Sequence, residues 1–172
     1  MNILLQGLPG IGKTTIIEKL AELLKNIAGF YTKEIRQNGE RVGFLVKDFE
    51  GREGILAHIE YKSPYRVGRY CVNIKNFEGI AIPALENGLK ERKILLIDEI
   101  GKMEIFSDKF KEQVAKSLDS PNQVIATIPQ KMNYQIKKII EGRNYHLIHV
   151  TKENRNSLPG IVLNLLKAEN KN

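Results

Sequence analysis

The chain has 172 residues, 42% hydrophobic and 27% charged, with 27 Lys and Arg against 20 Asp and Glu for a net charge of +7. This is ordinary composition for a globular chain long enough to bury one sizeable core. No apolar run approaches the roughly 20 residues that span a bilayer, and the opening MNILLQGLPG lacks the basic start of a signal peptide.

The single cysteine, Cys71, excludes an internal disulfide, so a cytoplasmic protein without membrane association is expected. Between Tyr70 and Val72 it reads as buried filler. The positive excess suits phosphate-bearing partners, nucleotides and nucleic acids alike. It is scattered along the chain, however, and no aromatic-and-basic motif supports nucleic-acid binding. No segment specifies an oligomeric state.

In chain order, residues 2–6 (NILLQ) read as a first strand ended by the glycine-rich GLPGIG. A helix follows over about 13–25, with Ile16, Ile17, Leu20, Leu23 and Leu24 at helical spacing. GFYTKEIRQ and RVGFLVKDF then alternate around Asn38-Gly39, the signature of a β-hairpin. ILAHIEY and RYCVNI extend this β-rich insertion to about 29–74. A helix is predicted from Asn76 as N-cap through IAIPALENGLK, distorted at Pro83. Strands and helices then alternate: KILLID, a helix over 107–118, NQVIATI, a helix over 134–140, YHLIHV and a last helix over 158–168. The expectation is one α/β domain spanning 1–172, its largely parallel sheet covered by helices on both faces.

Gly7-Leu8-Pro9-Gly10-Ile11-Gly12-Lys13-Thr14 matches the P-loop (Walker A) pattern GxxxxGK[ST] at every fixed position. Wrapping a phosphate chain with inward-facing backbone N–H groups needs glycines in unusual conformations, and the following helix adds its positive end. Lys13 is spaced to reach the β- and γ-phosphates and Thr14 to ligate Mg²⁺. A chance match is expected in fewer than about one chain in a hundred of this length.

Such a loop needs a second carboxylate at the end of a neighbouring strand, and Asp98, closing KILLID, fits that role beside Thr14 in the metal shell. Glu99 is placed to orient and deprotonate water for attack on the γ-phosphate. Two other readings keep the same phosphate site. One is a kinase passing phosphate to an acceptor held by the insertion; the other is a nucleotide-switched RNA-binding or regulatory module. Asp98-Glu99-Ile100-Gly101 also fits the DxxG pattern of small GTPases. Thr151-Lys152-Glu153-Asn154, however, has Asn154 where the guanine-reading aspartate should stand.

Together GLPGIGKTT, AGFYTKEIRQNGERVGFLVKDF, YRVGRYCVN, ILLIDEIGKMEIF and TKENRN resemble the small nucleoside-triphosphatase family that includes human cancer-related nucleoside-triphosphatase. The likeness covers nearly the whole chain and implies a RecA-like P-loop fold with an added β-hairpin element. It further implies Mg²⁺-dependent hydrolysis of ATP, GTP, CTP and UTP to the diphosphate and phosphate, with little base selectivity. Carried over, the nucleotide-binding segments are Gly7 to Thr14 and Ile94, Leu95, Leu96, Ile97, Asp98, Glu99, Ile100 and Gly101.

Other residues have both a catalytic and a plain reading. Lys102 and Glu104 could touch the γ-phosphate or orient Glu99, or form an ordinary exposed ion pair. Arg66 and Arg69 could stabilise transition-state charge or be solvated surface. Arg155, after the last strand, is a candidate to lie against the base. His58, His146 and His149 lack metal-ligand spacing, and the latter two, inside a strand, read as packing residues.

Overall fold

Strand β1 (Asn2–Gly7) is buried along its whole length, because its alternating side chains serve two cores. Ile3 and Leu5 face helices α1 (Lys13–Leu23) and α5 (Leu158–Glu169), while Leu4 faces α2 (Ile74–Lys90), α3 (Asp108–Asp119) and α4 (Tyr134–Ile140). Strand β7 (Ile94–Ile97) divides in the same way, with Leu95 and Ile97 toward α2 and α3 and Leu96 toward α1. Burial on both faces explains why these strands read as continuous apolar runs.

The computed structural model describes residues 1–169. The remaining strands are β2 (Ile27–Gln37), β3 (Glu40–Asp48), β4 (Glu53–His58), β5 (Arg66–Val67), β6 (Tyr70–Val72), β8 (Val124–Pro129) and β9 (His146–His149). All nine join one sheet in the order β5-β6-β4-β3-β2-β7-β8-β1-β9. From β2 to β9 the pairings are parallel, and from β2 to β5 they are antiparallel. The insertion is thus more than a hairpin appended to the domain. Strand β2 belongs to both halves, and Phe30 pairs with Ile97 on one side and Asp48 on the other. Its ring, fully buried, meets Phe77 and Phe110 edge-on at centroid distances of 5.4 and 5.6 Å.

Several boundaries shift for local reasons. Asn73, rather than Asn76, caps α2: its side-chain oxygen accepts the Asn76 N–H at 3.0 Å, which also stops β6 at Val72. Helix α2 runs on through Pro83. Helix α1 ends at Leu23, two residues before Lys25, as Leu24 turns extended. His146 and His149 are exposed rather than packed, because β9 is the edge strand. Cys71 is buried, as expected. No helix among the described residues is long and apolar enough to cross a membrane.

Candidate active site

The glycine-rich loop runs from Gly7, which closes β1, to Lys13, the first residue of α1. Gly10 (φ 74°) and Gly12 (φ 111°) adopt left-handed conformations that L side chains rarely take, so the loop can turn tightly. Lys13 is 7% exposed, and its Nζ donates to the carbonyls of Gly7 (2.9 Å) and Leu8 (3.1 Å). The same ammonium lies 3.3 Å from Glu99 Oε2.

Sheet order builds the acid side of the site. Strand β7 lies between β2 and β8, so Asp98 at its end is flanked by Thr32 and Thr127. Thr127 donates its hydroxyl to Asp98 Oδ1 and Thr14 donates to Oδ2, both at 2.7 Å. The Thr32 N–H and hydroxyl stand 3.5 Å from Oδ2. Asp98 is 1% exposed. Burial pushes its carboxyl upward from the ordinary range, against these hydrogen bonds and the Lys13 charge. Burial also raises Glu99, opposed by Lys13 and reinforced by Asp98. The peptide bond between the two acids is cis.

Beyond them, a 3-10 turn (Glu104–Phe106) buries Glu104 to 6% exposure. Its carboxyl is pushed up to about 8 by burial and then by the Glu99 charge. A Cβ on Gly101 would stand 2.6 Å from Glu99 Oε1 and 2.8 Å from Glu104 Oε2, so a side chain there would displace these carboxylates.

The structure brings Lys13, Thr14, Asp98 and Glu99 together as the sequence predicts. Arg155 joins them at the loop, donating to the Ile11 carbonyl at 3.2 Å with its Cδ beside Gly12. Leu8 and Pro9 sit on the outside of the loop, Leu8 59% exposed. Leu95, Leu96, Ile97 and Ile100 are fully buried, so their side chains hold the acids in place from the core.

Arg69 is committed elsewhere, donating to the Arg41 carbonyl and lying over the Tyr70 ring. Arg66 is exposed on β5, and among the described residues neither arginine contacts the loop. Lys102 is exposed and Glu104 buried, so the two form no surface ion pair. Asn154 holds the turn after β9, accepting from the Thr151 N–H and donating to the His149 carbonyl, both at 2.8 Å.

Sequence reasoning missed Thr127 and Thr32. The available signal was a hydroxyl near the end of an otherwise apolar strand, VIATI. The donor set suits a hard divalent cation: a hydroxyl and a buried carboxylate 2.7 Å apart, with a second carboxylate adjacent and one ammonium to balance them. Thr14 and Asp98 are the residues that would hold such a cation.

A phosphate-cradling loop between a parallel strand and a helix, with an acid at the end of a neighbouring strand, defines a P-loop NTPase of RecA-like fold. A family model described as NTPase matches residues 2–163, and the chain belongs to that family. It is 46% identical over 167 residues to nucleoside-triphosphatase THEP1 of Thermotoga maritima, covering 97% of this chain and 96% of that relative. The crystal structure of THEP1 from Aquifex aeolicus superposes with a TM-score of 0.89 at 41% identity, covering 96% of this chain and 99% of that one. The solution structure of a human cancer-related nucleoside triphosphatase gives 0.84 at 36% identity, with 97% of both chains covered.

Proposed function

We propose that the chain, insertion included, works as one domain that hydrolyses nucleoside triphosphates to the diphosphate and phosphate by water attack on the γ-phosphate. The observation that carries this is the 3.3 Å approach of Lys13 Nζ to Glu99 Oε2. A P-loop lysine marks where the β- and γ-phosphates lie, so Glu99 stands where a water attacks rather than at the rim. Glu99 takes the water's proton as its oxygen bonds to the γ-phosphorus. The bond from that phosphorus to the β–γ bridging oxygen breaks, and the diphosphate leaves. Bound by Thr14 and Asp98, Mg²⁺ would neutralise charge on the β- and γ-oxygens. Lys13 and the loop N–H groups orient the phosphates, and burial raises the basicity of Glu99.

Low base selectivity across ATP, GTP, CTP and UTP follows from the same reading. Asn154, at the guanine-reading position, spends its amide on the turn, and Arg155 offers a planar cation that any base can stack on. The relatives' names as nucleoside-triphosphatases support hydrolysis over transfer to an acceptor. A cytoplasmic setting supplies triphosphates and Mg²⁺ and keeps the lone thiol of Cys71 reduced.

The test is phosphate release from each triphosphate alone with Mg²⁺. Steady turnover without an acceptor is expected, and its absence for all four would point to a kinase or a switch. Glu99→Gln is expected to retain nucleotide binding while kcat falls by about two or more orders of magnitude, the loss of a general base.

A further inference from the structure

The catalytic loop contains one acid more than the hydrolysis described above uses. Glu104 lies deep in the loop, 6% exposed, and no cation pairs with it among the described residues. Asp48, the other deeply buried acid outside the metal shell, shows the usual solution. It is 3% exposed and neutralised by Arg52, with two backbone N–H groups of its own turn. Glu104 has only the backbone N–H groups of Gly101 and of its own residue, and it faces a second carboxylate.

The geometry of that meeting is specific. Glu99 divides its two oxygens, with Oε2 toward Lys13 and Oε1 over Gly101. Glu104 Oε2 comes to within 2.8 Å of the same point, where a Cβ on Gly101 would stand. Two ionised carboxylates crowded about one buried point repel each other, and a proton held by one of them relieves that repulsion.

We propose that Glu104 is a positioning residue for the hydrolysis: as a neutral acid it donates to Glu99 Oε1 across Gly101 and so keeps Oε2 turned toward the phosphates. The inference rests on the reading of Glu99 as the base. The protonation it requires agrees with the environment. The charged groups that bear on Glu104 are Glu99 and Asp98, both acids, so its proton is retained at neutral pH and lost only as pH rises through about 8. Lys13 Nζ lies 3.3 Å from Glu99 Oε2, whereas no cation lies beside Glu104 among the described residues. Gly101 completes the device, since a methyl group at that point would push the two acids apart.

The experiment compares Glu104→Ala and Glu104→Gln with the unmodified full chain, using ATP and Mg²⁺, and separates kcat from KM. Glu104→Ala is expected to lower kcat by about tenfold or more, as removal of a supporting partner does, with KM within roughly threefold. Glu104→Gln is expected to restore most of that loss, because its amide donates over the same reach. It should also lack the fall in kcat that the unmodified enzyme shows above about pH 8, where Glu104 ionises.

An Ala variant as active as the unmodified enzyme, or a Gln variant as impaired as Ala, overturns the proposal. So does a loss in Ala that appears equally in nucleotide affinity. If Glu104→Ala does not fold, the alkaline limbs of the Gln variant and the unmodified chain decide, and coincident limbs overturn it. Glu99→Gln serves as the reference. Full turnover in that variant removes the base on which this rests, whereas an inactive Glu99→Gln beside a fully active Glu104→Ala removes Glu104 alone.

Discussion

The two halves of the single sheet solve different problems. In the parallel half the strands inside the β9 edge are covered on both faces, and the polar groups at their carboxyl ends gather toward one another and the loop. Thr14, Asp98, Glu99 and Thr127 are therefore fixed by elements that cannot shift separately. In the antiparallel half the outer residues of β2 and β3 are exposed, and their charges neutralise each other locally. Glu34 takes Arg36 and Arg41, and Lys47 takes Glu53. Arg41 and Arg69 also lie over Tyr70. A charged residue signals chemistry only where the fold leaves it without a local partner.

The seam between the halves is the most sensitive place to test this. Phe30 pairs with both and centres the aromatic cluster. Phe30→Ala is expected to destabilise the protein by about 3–5 kcal/mol, measured by denaturant unfolding. A loss under about 1 kcal/mol would mean the halves are not joined there.

Next in size, Thr127→Val keeps the shape but removes the donor to Asp98 Oδ1. The loss of a hydrogen bond to a charged group, about 1.5–3 kcal/mol, is expected in Mg²⁺ affinity or kcat, read by titrating Mg²⁺ in the turnover assay.

Glu104 gives an effect spread over a pH range and of definite sign. Its folded pKa, about 8, lies above the ordinary 4.5. The folded state thus holds the extra proton, and stability falls as pH rises from about 4.5 to 8, by at most about 1.4 kcal/mol per unit. Melting of Glu104→Gln across that range should show a shallower decline.

Smallest of all, Arg69→Ala in the antiparallel half is expected to leave kcat within about twofold and cost under about 1 kcal/mol. A large loss of turnover would place the insertion in the chemistry and break the contrast.

These contrasts also explain what could be read in advance. The loop was legible because its eight residues are consecutive and its fixed positions, Gly7, Gly12, Lys13 and Thr14, stand at set spacing. Asp98 and Glu99 were legible as acids ending an apolar strand. Thr127 and Thr32 were not, since their roles depend on β7 lying between β8 and β2, an order that no local pattern encodes. For Glu104 the sequence left two readings open, a role at the γ-phosphate or Glu99 and half of a surface pair with Lys102, because burial of a short turn follows from tertiary packing rather than periodicity. His146 and His149 misled for the converse reason: YHLIHV reads like an interior strand but lies on the sheet's edge. Arg155 followed from its place after the last strand, although its grip on the loop carbonyl did not.

That grip links residues 144 positions apart in the chain, Arg155 to the Ile11 carbonyl. Strand β1, likewise, is sandwiched between β8 and β9, the last two strands to be synthesised. During translation the first strand therefore emerges with both of its edges unmatched and waits for most of the polypeptide to follow. A ribosome stalled before residue 124 would display an intact glycine loop with no sheet to support it. The sheet on both sides of the loop's strand is therefore in place only once β8 and β9 have formed.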